Sequence, residues 1–304
     1  ADMYLTPDTM IEASRDCGYR TTVIGAVNNF TQSVELLDEW YKKYHKKENL
    51  INFELGFHAE YTTKKEILEG IADLAEKYKA PVYTHNSESE SEVAQCIERT
   101  KVTPTVYMDR LGIFNYGGGF YHCVHMTQND LDIVKEHNIS VITNPASNLK
   151  LASGIAPIDH MLKEGINLAI GTDGPASNNC LDMFREMFLV TALAKYREND
   201  ASAVDALEVL KMATIGGAKA MNLTDCDVLA EGKEADIIMI DLNQPNMQPI
   251  HNIQKNLVYS GSKQNVKLTM VAGKILYENG EFFIGTDAYK IYEKANDIAE
   301  RIVK

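Results

Sequence analysis

Several things are scarce or missing in this sequence. Its five cysteines (Cys17, Cys96, Cys123, Cys180 and Cys226) are scattered, with no CxxC pair. That argues against a disulfide framework and for reduced thiols in a cytoplasmic protein. No apolar run approaches the roughly 18 residues a membrane span needs. No basic stretch followed by an apolar one opens the chain, so no export signal is read. Positive charge is short: 30 Lys and Arg stand against 43 Asp and Glu, a net charge of −13. This balance argues against a nucleic-acid partner and against binding to anionic membranes. No GxGxxG follows any strand pattern, which weakens a dinucleotide-binding reading. No His-x-His occurs, and there are no internal repeats, low-complexity segments or long linkers.

What is present is an ordinary globular composition, 45% hydrophobic and 24% charged, in 304 residues, enough for one large α/β domain or two smaller ones. Strand and helix patterns alternate. Strands are expected at Thr21–Val27, Leu50–Phe57, Pro81–Thr84, around Phe120, at Ile139–Thr143 and at Ile166–Thr172. Helices are expected from Pro7 to a stop at Gly18, at Val34–Tyr44, and at Ile67–Tyr78 behind a capping box Thr63–Glu66. Others are expected at Glu88–Arg99, near Met108–Gly112, and at Gln128–His137, Ile158–Glu164 and Asp182–Tyr196. Six strands, each followed by a helix, imply a parallel sheet with right-handed crossovers, either an open doubly wound sheet or a (β/α)8 barrel. After about Asn222 the pattern changes to strands, Ile237–Ile240 and Val266–Tyr277, with a hairpin signal at Asn279-Gly280. A terminal helix is expected at Ala288–Val303.

Polar residues collect where these strands end. His58, His85, His122 and Asp173 each close a separate strand pattern, and in a parallel α/β barrel such ends share one mouth, where catalytic groups gather. Asp173 before Gly174-Pro175 would, alone, read as a helix cap or Asx-turn. Beside three histidines in the same position it reads as part of a site. Imidazoles and a carboxylate suit Zn²⁺ or Fe²⁺ in an open catalytic centre. Glu88, three residues after His85, stands where an acid or base could reach a substrate. The neighbouring Glu90 and Glu92 read as helix N-terminal electrostatics.

The stretches PVYTHNSESE (81–90), YHCVHM (121–126), TNPASNLKLASGIAPI (143–158) and GTDGPASNN (171–179) together resemble the amidohydrolase superfamily. The similarity is to its branch of 5-methylthioadenosine/S-adenosylhomocysteine deaminases and chlorohydrolases. LAEGKEADIIMIDL (229–242) and VAGKILYENGEF (271–282) resemble that branch's C-terminal β-sandwich strands. The resemblance implies a (β/α)8 TIM barrel of the metal-dependent hydrolase type over residues 1–222, β-sandwich strands over 223–285 and a helix over 286–304. It implies one divalent metal ion, zinc first, with iron or manganese as alternatives. His85 and Asp173 become metal ligands; Glu88 the proton shuttle and a substrate contact; His122 the catalytic histidine; Asp173 also a proton acceptor; His58 a substrate contact. Ser177, Asn148 and Asn144 are expected at the mouth, with Ser177 on the substrate side, or equally as turn residues. The implied reaction is hydrolytic deamination of an aminated heterocycle of adenosine type by metal-activated water. Hydrolysis of chloride or an amine from a triazine-like ring is the alternative, and a truncated, non-catalytic barrel the reading from another class.

Two departures qualify the resemblance. The family's first strand carries a His-x-His that is absent here, and the chain begins Ala1-Asp2-Met3, near the end of the family's second strand. The expectation is therefore a barrel lacking its first βα units, which alone binds metal weakly and has little or no activity. A missing N-terminal segment or a homo-oligomer would complete it. Secondly, members acting on S-adenosylhomocysteine hold its carboxylate with arginines after the third strand, where this chain reads VIGAVNNFTQSVEL (23–36). The resemblance then implies a substrate without that carboxylate, such as methylthioadenosine or adenosine.

Overall fold

The structure is a computed structural model that describes residues 1–303. Seven strands form one parallel sheet in chain order: β1 (Asp2–Met3), β2 (Thr21–Ile24), β3 (Ile51–Ala59), β4 (Val82–Asn86), β5 (Gly118–His122), β6 (Ile139–Thr143) and β7 (Leu168–Ile170). One more strand is present than the sequence pattern shows. β1 is two residues long and pairs Asp2 with Val23 and Met3 with Ile24, too short for an alternating pattern to register. A helix follows every strand, beginning with Pro7–Cys17, Val34–Tyr44 and Lys65–Tyr78.

The sheet is curled. Alternate residues of its strands face helices on one side: Val23, Phe53, Leu55, Val82, Phe120, Val141 and Leu168 pack with Leu37, Trp40, Leu68, Ile71 and Met161 in the large core. The opposite positions, Ile24 of β2, Tyr83 of β4, Ile142 of β6 and Ala169 of β7, form a second cluster with Ala220 and Met221. Residues from both ends of the strand order meet there only because the sheet bends round, and the Tyr83 hydroxyl closes that inner layer by donating to Ala220 O (2.8 Å). Burial on both faces explains why these strands read as continuous apolar runs.

Two expectations are corrected at the C-terminal side. Val266–Tyr277 is not one strand: it breaks at Ala272-Gly273, both with positive φ (48° and 79°), into β9 (Val266–Val271) and β10 (Lys274–Glu278). With β8 (Ile237–Ile240) and β11 (Glu281–Phe282) these make a four-stranded sheet ordered β11-β10-β9-β8, a single layer and not a sandwich among the described residues. The Asn279-Gly280 hairpin is present, pairing Tyr277 with Phe282. The helix Ala288–Val303 also forms and buries none of its residues. The capping box at Thr63 does not form: the helix starts at Lys65 without a side-chain cap, because the Thr63 hydroxyl donates to Ala59 O instead (2.8 Å). Among the described residues no helix is long and apolar enough to cross a membrane.

Candidate active site

The carboxyl ends of β3, β4, β5 and β7 bring His58, His85, His122 and Asp173 to one mouth. The ring of His85 lies 5.0 Å from that of His58 and 5.4 Å from that of His122. The backbone there is unusual. Ser87, His122, Cys123 and Asp173 all have φ between 50° and 71°, a region that costs L-residues about 1 kcal/mol or more each. Such turns re-aim side chains where regular strands would continue, and the surrounding hydrogen bonds hold them.

Each imidazole is oriented through one nitrogen. The β3–β4 pairing shifts register between Gly56 and Ala59, and the His58 carbonyl there accepts the Nδ1–H of His85 at 2.7 Å. The Nε2 of His85 thus keeps its lone pair. Burial, followed by His122 and His58 nearby, pushes the His85 pKa down to about 3, so the ring is neutral and able to ligate. The Thr62 hydroxyl donates to Ala59 O (3.1 Å) and so accepts from His58 Nδ1 (2.9 Å); burial likewise lowers the His58 pKa. His122, 1% exposed, meets Asn148 Oδ1 at 2.7 Å through Nδ1.

The two carboxylates have different surroundings. Burial opposes the Asp173 charge, but the Ser147 hydroxyl (2.5 Å), the Gly174 amide (2.6 Å), then His122 and His85 together hold its pKa below the ordinary value. Glu88 is half-buried on the loop after β4. Its Oε2 lies 3.7 Å from His122 Nε2, and its Oε1 accepts from Ser153 Oγ at 3.1 Å. That loop is itself held by Glu92, whose carboxylate accepts the amides of Ser87 (3.0 Å) and Glu88 (2.8 Å) while closing a capping box with Ser89. Glu92 therefore does more than complement a helix dipole. Ser177 lies half-buried in the short helix Pro175–Asn178 beyond Asp173, and Asn144 is buried beside Gly171.

A neutral imidazole with a free Nε2 and an ionised carboxylate are suitable donors for a divalent metal. Yet no group of three or more His, Cys, Asp or Glu side chains among the described residues is placed to hold one. The donors present fit part of a coordination sphere: His85 and Asp173.

The sequence motifs had not exposed the roles of Ser147, Asn148 and Ser153. All three lie in the stretch NPASNLKLAS (144–153), and their partners are 26 to 65 residues away in the chain, so no local spacing signals the contacts.

Residues 1–276 match the amidohydrolase family. The chain is 36% identical to a 5-methylthioadenosine/S-adenosylhomocysteine deaminase of Thermoanaerobacter pseudethanolicus, over 99% of this chain and 72% of the relative. It is 34% identical to a 5′-deoxyadenosine deaminase of Methanopyrus kandleri, over 99% of this chain and 71% of that protein. Among solved structures, a zinc-bound adenosine deaminase of Xanthomonas campestris superposes with a TM-score of 0.94 at 32% identity, covering 98% of this chain and 70% of the other. The zinc-bound atrazine chlorohydrolase of Arthrobacter aurescens gives 0.86 at 23% identity, covering 97% and 71%, a likeness of fold. By its matched residues and its relatives, this chain belongs to the amidohydrolase family.

Proposed function

We propose that the protein is a metal-dependent aminohydrolase that deaminates an adenosine-type nucleoside. The observation that carries the reading is Glu88, a half-buried carboxyl aimed across the mouth at His122, in a chain whose relatives named above are deaminases. A divalent ion held in part by His85 and Asp173, zinc by preference, would lower the pKa of water at the site and make it nucleophilic. Asp173, kept ionised by Ser147 and Gly174, is the carboxylate that would accept a proton from water in the mouth. His122 turns its Nε2 toward Glu88 across the mouth, where it would orient the attacking water. Glu88 delivers a proton to the ring nitrogen next to the carbon under attack, which makes that carbon electrophilic. The proton held by Asp173 then passes to the amino group, which leaves as ammonia, while the proton of the new hydroxyl returns to Glu88. His58 and Ser177 line the substrate side.

The loop after β2 supports a substrate without a carboxylate. Asn28 Oδ1 is taken by the amides of Phe30 and Thr31, and Asn29 Oδ1 by the amide of Lys64. These side chains hold the loop, and Phe30 above them is 83% exposed. No arginine fork stands in residues 23–36 to grip a carboxylate.

The test is ammonia release from adenosine, 5′-methylthioadenosine and S-adenosylhomocysteine by protein produced with zinc, beside Glu88→Gln. The expectation is slow release from the first two in excess zinc, because the chain carries two of the metal donors and no His-x-His. The substitution should lower it at least roughly a hundredfold, the size general acid–base catalysis supplies. Release that Glu88→Gln leaves unchanged, or none from metal-loaded protein, overturns the reading. A strong preference for S-adenosylhomocysteine overturns the substrate assignment alone.

A further inference from the structure

One short stretch of chain touches every group to which a proton-handling role falls. From the helix Pro145–Lys150, Ser147 Oγ donates to Asp173 Oδ2 (2.5 Å) and Asn148 Oδ1 meets His122 Nδ1 (2.7 Å). One turn later Ser153 Oγ donates to Glu88 Oε1 (3.1 Å), while the Ser153 carbonyl meets His125 Nε2 (2.7 Å). Ser147 and Asn148 are at most 1% exposed and Ser153 is 8% exposed. None of the three offers an acid, a base or a strong metal donor. Their contacts fall on three different strand-end loops.

The stretch is anchored from behind. Glu186, fully buried on the helix Met183–Glu198, accepts the Ala146 amide through Oε2 (3.0 Å) and Asn178 Nδ2 through Oε1 (2.7 Å). Asn178 in turn donates to Thr172 O, beside Asp173 (2.7 Å). The brace and the exit of β7 therefore share one buried carboxylate.

We propose that residues 145–153 are a positioning brace for the deamination, with Ser147 setting Asp173, Asn148 setting His122 and Ser153 setting Glu88. The assignment of chemical roles rests on the deaminase reading above; the orientation of the side chains does not. A carbonyl oxygen only accepts, so Asn148 fixes a His122 proton on Nδ1 and leaves Nε2 facing Glu88. Ser153 holds one Glu88 oxygen and leaves Oε2 facing the mouth. Because these residues act through others, their loss lowers turnover more than substrate binding.

Two measurements test this on Ser147→Ala, Asn148→Ala, Asn148→Asp, Ser153→Ala and Ser153→Thr. The first is kcat and KM for ammonia release from adenosine, alongside thermal melting. The expected result is a kcat lowered roughly ten- to a hundredfold by each alanine, KM within about twofold, and most of the loss restored in Ser153→Thr. Alanine variants that change only KM or only the melting temperature, with kcat intact, overturn the brace. The second is the tautomer of His122 read from long-range ¹⁵N–¹H correlations, which needs no turnover. Asn148→Ala should lose the preference for Nδ1–H and Asn148→Asp should keep it; an unchanged tautomer in Asn148→Ala overturns the assignment. If the wild type shows no deamination, the functional reading fails and the tautomer comparison still decides the brace. Should Asn148→Ala not fold, Ser153→Ala, at a less buried position, carries the kinetic arm.

Discussion

Glu54 on β3 is 1% exposed, and its Oε2 has no hydrogen-bond partner. Asn52 Nδ2 donates to Oε1 (2.8 Å), and His45 Nδ1 stands 3.7 Å from Oε2. Burial outweighs the Asn52 bond and pushes the Glu54 pKa up to about 7, from an ordinary 4.5. A carboxyl that titrates higher in the folded chain than in the unfolded one favours folding while protonated. Its contribution is complete below about pH 4.5 and is lost as pH rises through about 7. The size is of order 3 kcal/mol across that window. Urea unfolding of the wild type and of Glu54→Gln at pH 5 and pH 8 checks this. The wild type should lose more stability than the variant on going to pH 8, and parallel losses would refute it. The residue scale is also where the sequence spoke unevenly. That His85, His122 and Asp173 share one mouth was legible because strand ends mark them, and Glu88 follows His85 by three residues. Glu92 looked like dipole chemistry because its three-amide grip needs the loop folded back over the helix start, and Asn148 read equally as mouth lining or turn chemistry because its partner lies 26 residues away.

Among the elements, β5 depends on its first residue. Gly118 has φ of 150°, and a Cβ built there would meet Val82 O at 1.8 Å on the neighbouring β4. Backbone cannot yield as a flexible side chain does, so Gly118→Ala should separate β4 from β5 and remove His85 and His122 from register. The expected outcome is loss of soluble protein, or a melting temperature lowered by many degrees. A variant that melts as the wild type does would show that the pairing tolerates what this geometry forbids. The helix Ala288–Val303 is the opposite case, with no buried residue. Deleting residues 287–304 should change stability by less than about 1 kcal/mol, as is usual for exposed surface without buried contacts; a larger change in urea midpoint would mean that its apolar positions are covered in solution. Element boundaries were legible where caps and periodicity agree, as at Pro7 and the Gly18 stop. They were less so where one signal stood alone. Thr103-Pro104 starts a helix four residues before Met108, and Ala272-Gly273 turns a strand that its apolar content carries through.

At the scale of the whole molecule, the two candidate metal donors come from β4 and from the turn after β7, strands that are three apart in the sheet. Nothing local joins them, so any affinity they share depends on the curl of the sheet and on the inner layer around Tyr83, Ile142 and Ala169. A catalytic zinc site commonly has three protein ligands and an open position, and two donors leave such an ion exposed to competition from buffer and chelator. The expected result of elemental analysis after dialysis against metal-free buffer is therefore less than one metal per chain, rising toward one as zinc is added back. His85→Ala and Asp173→Ala should each abolish the rise, while Ser177→Ala, at the substrate side, should not. A full equivalent surviving dialysis in the wild type, lost in both ligand variants, would mean that further donors complete the sphere in solution. The same equivalent surviving in both variants would place the metal elsewhere and remove His85 and Asp173 from the ligand set. Because the donors meet only through the folded sheet, unfolding that separates β4 from β7 must release the ion together with the tertiary structure. A metal still bound after that transition would belong to some local group of residues and not to this mouth.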